Sequence, residues 1–404
     1  MSSIVVIGAG QAGGWVAKTL RDQEFSGKIV LIGEEKYPPY ERPPLSKEVL
    51  LGSRTPESTY IWPVSKYTEL GIDLMLCNRA VSIDRTKKTV LLSNGTLLDY
   101  DYLMLSTGSR VRKLNISGAD LPGVFYMRGI GDTVAISQSL RPGSHLLVIG
   151  GGWIGLEIAA AARQRDIDVT LVESCGQLCA RVLPANIANY LQRRHEHQGV
   201  RILLDTTVTR FEGRGRFEAV KLSNGDRISA DLAVVGVGVI PNSEIAAEAG
   251  LESDNGIIVD SSGRTSDESI YAAGDVANQP DGSGGRVRLE SWSNAQNQAI
   301  AVAKAMLGAD SQYQELPYFW SDQYETKLQV LGSFRDYSEI VHRDHGHDQL
   351  LSFYMKGNKI AAVVAVNRTR DIPIVRRLMQ KNIALDPQRL ACGSSLNEIL
   401  RAIN

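Results

Sequence analysis

Short apolar runs that break on glycine recur along the chain. Ile4-Val5-Val6-Ile7 leads into Gly8-Ala9-Gly10-Gln11-Ala12-Gly13 and then a helical pattern through Leu20. A second run, Lys28 to Ile32, ends at Gly33 and the acid Glu34. The order then returns: Leu146-Leu147-Val148-Ile149, Gly150-Gly151-Gly152-Trp153-Ile154-Gly155, a helical pattern through Ala162, and Asp168-Val169-Thr170-Leu171-Val172 ending in Glu173. Each copy reads as strand, glycine turn, helix and strand.

The repetition continues past these units. Leu92-Ser93-Asn94-Gly95 precedes a strand ending Ser106-Thr107-Gly108, and Leu222-Ser223-Asn224-Gly225 precedes Asp231 to Gly238. Asn-Gly marks a hairpin. A duplicated unit of about 130 residues is the economical reading. Both glycine turns have G-x-G-x-x-G spacing, which lets the backbone approach a pyrophosphate at a helix N-terminus, with an acid beyond to hold a ribose hydroxyl. Two dinucleotide sites are expected.

The predicted fold class is α/β, with two Rossmann-like domains and a C-terminal α+β domain. Ser269 to Asp275 is an apolar strand ending in Gly274-Asp275, assigned back to the first domain because the second already has its closing strand. The expected boundaries are 1–107 with 236–315, then 108–235, then 316–404. In the last region Phe319-Trp320, Lys327 to Gly332, Leu350 to Tyr354 and Ile360 to Val366 read as antiparallel strands, followed by helices over 372–380 and 396–402.

Composition narrows the class. Apolar residues at 43% and charged residues at 22% fit a globular enzyme, and a net charge of −1 gives no overall field for nucleic acid or acidic lipid. Four cysteines, Cys77, Cys175, Cys179 and Cys392, are too few for a disulfide scaffold. The start MSSIVVIGAG lacks a basic region before its apolar run, and no stretch approaches the ~20 apolar residues of a membrane span. A cytoplasmic protein is expected. Cys175 and Cys179 with His195 and His197 match no common zinc spacing, and His342, His345 and His347 read as a solvated loop.

Taken in order, GAGQAG, YERPPLSK, STGSR, GGGWIGLE, ARVLP, GVGVIPN, YAAGDV, SWSNAQNQA and PYFWSDQY resemble a family of FAD-dependent, NADH-utilising ferredoxin reductases. That family serves Rieske-type oxygenases and cytochrome P450 systems and is related to apoptosis-inducing factor. The resemblance covers nearly the whole chain. It implies a glutathione-reductase-type flavoprotein fold with FAD in the first domain, NADH in the second and a C-terminal domain beside the flavin.

The resemblance assigns FAD to Gly8, Gly10, Gln11, Ala12, Gly13, Glu34, Glu35, Arg42, Lys47, Val81, Thr107, Gly108, Arg128, Gly274, Asp275, Ser291, Trp292 and Trp320. It assigns NADH to Gly150, Gly152, Trp153, Ile154, Gly155, Glu157, Glu173, Arg181, Gly236, Val237 and Gly238. Glu173 at a strand end favours NADH over NADPH, whereas Arg181, Arg163 and Arg165 could receive a 2′-phosphate. Trp153 is bulky for a residue beside the nicotinamide path, and Ser106 replaces a usual Ala.

Flavin and nicotinamide on one chain imply hydride transfer from NADH to FAD. Related disulfide reductases carry reactive cysteines on the segment that here is Tyr40 to Leu50, which has none. Electrons are therefore expected to pass directly to an external acceptor, which the resemblance implies is a [2Fe–2S] ferredoxin. Pro43 and Pro44 are expected to hold the segment extended and aim Lys47, a cation that stabilises the reduced ring. The resemblance pairs Lys47 with Glu157 as the catalytic residues.

From Phe353 onward, nine basic residues face only Asp371, Asp386 and Glu398, and Arg368, Arg370, Arg376 and Arg377 are expected to steer an acidic ferredoxin. An NADH-responsive flavoprotein like apoptosis-inducing factor, an NADH oxidase and a rubredoxin reductase remain alternatives. Monomer and homodimer are both open.

Overall fold

The structure, a computed structural model, describes residues 2–282, 284–346, 348–391 and 395–401. His347, Cys392 and Ala402 lie outside the described residues. The chain forms two compact units, one of residues 1–43, 56–110 and 239–315, the other of residues 44–55, 111–238 and 316–404. The chain thus leaves the first unit within the Pro43-Pro44 pair.

The first unit is built on a five-stranded parallel sheet, in the order Ile270–Ala272, Tyr102–Leu105, Ser3–Ile7, Lys28–Ile32, Ile72–Met75. Beyond the strand-opening Ser3 and Lys28, its central strands are apolar and buried because both faces are covered. The helix Gln11–Asp22 buries Val16, Ala17 and Leu20, and packs on the helix Trp292–Met306 through Ala299, Val302 and Ala303. The strand Ile270–Ala272 pairs with Tyr102–Leu105, which puts Gly274-Asp275 at the carboxyl edge of this sheet.

The second unit repeats the plan, with the parallel order Val200–Leu203, Asp168–Val172, His145–Ile149, Leu232–Val235, Val124–Tyr126. Each parallel sheet is accompanied by a three-stranded antiparallel sheet containing the Asn-Gly hairpin.

Residues 316 onward add a five-stranded antiparallel sheet, in the order Tyr318–Gln323, Thr326–Gly332, Lys359–Val366, Leu350–Lys356, Glu339–Asp344. One face of this sheet, through Leu328, Val330, Val364 and Val366, shares a core with the second parallel sheet. Its other face packs on the helices Ile372–Gln380, Pro387–Ala391 and Leu396–Arg401. No helix among the described residues is long and apolar enough to cross a membrane.

Two local expectations change. His342 is not in a loop: it lies on the edge strand Glu339–Asp344 and its Nδ1 is 2.9 Å from Ser352 Oγ, because pairing with Leu350–Lys356 overrides the polar sequence. Pro43 and Pro44 do not hold an extended segment either. Pro43–Ser46 is a 3₁₀ turn leading through Lys47 into the helix Glu48–Leu51. Proline is tolerated there because the first turn of a helix has no use for its missing N–H.

Candidate functional site

The two glycine turns are near copies. Gly8 and Gly150 have φ of +108° and +106°, and a Cβ on either would strike a carbonyl oxygen, of Ser106 at 2.2 Å or of Gly236 at 2.4 Å. Gly13 and Gly155 pack as tightly, with a Cβ falling 1.9 Å from Gly8 O and 2.0 Å from Gly150 O. Gly10 and Gly152 differ, since nothing lies within 4 Å of a Cβ there. Both cap helices without a side-chain cap and with no acid in the first turn, so neither the capping residue nor a first-turn carboxylate satisfies the first-turn N–H groups. Such a cradle fits a dinucleotide pyrophosphate in each unit.

The acids after the second strands are not equivalent. Gly8 N–H donates to Ile32 O and Gly150 N–H to Val172 O, so Gly33, not Glu34, corresponds to Glu173. A Cβ at Gly33 would come within 2.7 Å of Ala9 Cβ, whereas Gly151 at the matching place leaves room for Glu173. Glu173 uses that room: it accepts the N–H of Gly151 at 2.6 Å and of Cys175 at 2.8 Å. Glu34 therefore stands one residue further from its strand and is exposed.

Around the first cradle, Gly274 (φ +81°) faces Ala12, with a Cβ falling 3.1 Å from its methyl. Ser109 Oγ donates to Asp275 at 2.8 Å. The indole N–H groups of Trp292 and Trp15 converge on the Gln11 amide, whose oxygen accepts both at 3.0 and 3.2 Å. Ser291 caps the helix Trp292–Met306 by accepting from Asn294 N–H. Glu35, Tyr40 and Arg42 form a closed cluster: Arg42 Nη2 donates to Glu35 at 2.8 Å and Tyr40 OH donates to Glu35 at 2.7 Å. Thr107 Oγ1 donates to Asn242 O, Gly108 (φ +64°) is open on its Cβ side, and Val81 is exposed. The Ser106 hydroxyl is 2.9 Å from the carbonyls of both Ile7 and Gly8, so the replacement of Ala ties the glycine turn to the sheet.

In the second unit Ile154 is exposed, while Trp153 stacks on Phe319 at 4.7 Å. Arg181 lies beside Gly238, 3.3 Å from its Cβ position, and Gly236 packs near Gly155 N. Val237 packs against the core around Phe211 and Phe217. Arg128 N–H is held by Asp132 at 2.9 Å, at the start of the helix Ile130–Ser139. Arg163 and Arg165 are not available for a phosphate. Arg163 donates to the carbonyls of Gln198 and Ile167, and Arg165 to those of Leu50, Ser137 and Leu140.

Lys47 and Glu157 meet. Lys47 Nζ is 3.0 Å from Glu157 Oε1, with side chains only 11% and 3% exposed. Glu157 lies on the helix Trp153–Arg163, which is buried on all sides from Gly155 to Ala162. Sequence reasoning missed two further partners: Ser46 Oγ donates to Glu157 Oε2 at 2.5 Å and Ser321 Oγ to Oε1 at 2.6 Å. The signal for Ser321 was present, a small polar residue alternating with Gln323 along a strand. Nearby, burial pushes the Asp322 carboxyl up while Lys47 and Lys327 pull it down.

Trp320 stacks on Tyr318 at 5.9 Å, and Arg376 lies over the Tyr318 ring. Arg368 is paired with Asp371 at 2.6 Å, whereas Arg370 and Arg377 are exposed. Cys179 is buried against Gly151 O, where burial pushes its thiol up, and Cys175 is exposed. Among the described residues no group of three or more His, Cys, Asp or Glu could hold a metal ion.

Comparison with known proteins agrees with this geometry. Residues 2–299 match the pyridine nucleotide-disulphide oxidoreductase family and residues 318–400 the reductase C-terminal family. The chain is 42% identical over 392 residues to rhodocoxin reductase of Rhodococcus erythropolis, covering 96% of this chain and 92% of the relative. It is 38% identical to the ferredoxin–NAD(+) reductase subunit of the benzene 1,2-dioxygenase system of Pseudomonas putida, covering 99% and 98%. Putidaredoxin reductase, in its covalent complex with putidaredoxin, superposes with a TM-score of 0.96 at 35% identity, covering 99% and 98%. The chain belongs to the pyridine nucleotide-disulphide oxidoreductase family, on its ferredoxin reductase branch.

Proposed function

We propose that this chain is an FAD-dependent NADH:ferredoxin oxidoreductase that supplies an oxygenase through a [2Fe–2S] ferredoxin. The observation that carries the reading is the buried Lys47–Glu157 pair, whose Lys47 lies on the segment Tyr40 to Leu50, which has no cysteine. The relatives support it: their names are ferredoxin–NAD(+) reductases of dioxygenase systems and a reductase bound to putidaredoxin.

The domain roles follow as part of the proposal. FAD is held over 1–107 and 236–315 by Gly8, Gly10, Gly13, Gly274 and Asp275, and NADH over 108–235 by Gly150, Gly152, Gly155 and Glu173. When bound, FAD would supply the chemistry that links a two-electron hydride donor to single-electron transfer. Lys47 supplies fixed positive charge to the electron-rich flavin, and Glu157 holds that charge in place. Glu173, already anchored by two backbone N–H groups, offers its carboxylate to a ribose 2′-hydroxyl and repels a 2′-phosphate. Arg163 and Arg165 are engaged elsewhere, and although Arg181 stays beside Gly238, the Glu173 carboxylate makes NADH the preferred donor. Arg370 and Arg377 are the exposed cations offered to an acidic ferredoxin.

The test is NADH-driven reduction of cytochrome c with and without an added [2Fe–2S] ferredoxin. A large ferredoxin-dependent increase supports the proposal. Oxygen consumption with no such increase favours an oxidase and overturns it.

A further inference from the structure

The Glu157 carboxylate ends a line of hydrogen bonds whose direction is dictated by chemistry. Glu157 Oε1 is 2.6 Å from Ser321 Oγ, and a carboxylate paired with a lysine only accepts, so the hydroxyl donates. Ser321 has a single proton, so Gln323, 3.0 Å away, must donate to it through Nε2. That turns the Gln323 amide oxygen toward His195 Nε2 at 2.8 Å, which therefore carries the ring proton. His195 Nδ1 is left to accept from the Tyr324 hydroxyl at 3.2 Å.

We propose that Tyr324, His195, Gln323 and Ser321 form a one-way hydrogen-bond chain that fixes the Glu157 carboxylate against Lys47, making all four positioning residues for the reaction. The kinetic part of this inference rests on the function proposed above; the direction of the chain does not.

Three observations support it. Glu157, His195, Ser321 and Gln323 are all buried, where bonds aligned in one sense reinforce one another and a reversed member would leave two acceptors facing. Burial holds the His195 pKa at about 4, so the ring is neutral and has one proton to place, and burial raises that of the Tyr324 phenol, which keeps its donor. Tyr324 sits in the two-residue turn between Tyr318–Gln323 and Thr326–Gly332 at φ +56°, a conformation that favours glycine or asparagine over an aromatic residue. Its ring is held edge-on to His195 at 5.2 Å. Gln323 has no titratable proton to pass on, so the line holds Glu157 rather than conducting to it.

The test uses the FAD-loaded protein. With 15N-labelled histidine, His195 should show a protonated Nε2 and a bare Nδ1 across about pH 6 to 8. A proton on Nδ1 overturns the chain. In stopped flow, Ser321→Ala should lower the limiting rate constant of flavin reduction by NADH about tenfold with little change in NADH affinity, and Ser321→Thr should restore most of it. Tyr324→Phe keeps the ring on His195 and should lower the rate about threefold, which carries the test if Ser321→Ala folds poorly. Equal rates in Ser321→Ala and Ser321→Thr, or an unchanged rate in Tyr324→Phe, overturn the inference. If NADH fails to reduce the wild-type flavin, the proposed function falls while the ring-nitrogen result still decides the chain.

Discussion

Lys47 and Glu157, 110 positions apart in sequence, form an ion pair of 3.0 Å with both side chains almost withdrawn from water. Breaking such a pair from one side strands the other charge, at a cost of about 3–5 kcal/mol, whereas removing both does not. Lys47→Met and Glu157→Gln should each lower the urea midpoint, and the double variant should recover part of the loss. Lys47→Met should also slow flavin reduction by about a hundredfold. Additive losses in the double variant would argue against the pair as a unit.

Selectivity between nicotinamides should depend on Glu173. Glu173→Ala removes the acceptor for the 2′-hydroxyl and the repulsion of a 2′-phosphate, so the NADPH-to-NADH ratio of kcat/KM should rise about tenfold. Wild-type protein that used NADPH as well as NADH would contradict this role.

Gly10 separates binding from folding. A methyl there meets no protein atom, so Gly10→Ala should keep its Tm as apoprotein yet bind FAD about tenfold more weakly. Gly13→Ala, driven against Gly8 O, should lose stability as well. Normal FAD affinity in Gly10→Ala, measured by flavin fluorescence, would remove the first cradle from the cofactor site.

His195 gives a signed pH dependence. Burial lowers its pKa from 6.5 to about 4, partly opposed by its bond to Gln323, so the unfolded chain takes up the proton first. Stability from this group is present above the unfolded value and declines as pH falls from about 6.5 toward 4, by up to about 3 kcal/mol. His195→Gln should lose less stability than wild type between pH 7 and 5 in urea titrations. Parallel declines would show that the ring charges as freely folded as unfolded.

Much of this arrangement was legible in the sequence because the contacts that create it are local. The glycine spacing announces two cradles, since Gly8 with Gly13 and Gly150 with Gly155 close their turns within a few residues. Family resemblance reached Lys47 and Glu157. What stayed hidden depends on long-range register. Gly33 occupying the place of Glu173 is visible only once Ala9 is seen across from it. The line from Ser321 to His195 joins a C-terminal strand to the helix Ala185–His197, whose inward face of Ile187, Ala188, Leu191 and His195 reads as core with a stray histidine. The edge strand Glu339–Asp344 was missed because EIVHRD carries charges where strand propensity expects none.

The central claim is that electrons leave the flavin without a thiol relay. Anaerobic titration of the FAD-loaded protein with NADH tests it most directly. The flavin should bleach fully at about one NADH per FAD, with no change after alkylation of the exposed Cys77 and Cys175. An uptake of about two NADH per FAD would reveal a second two-electron centre and contradict the account.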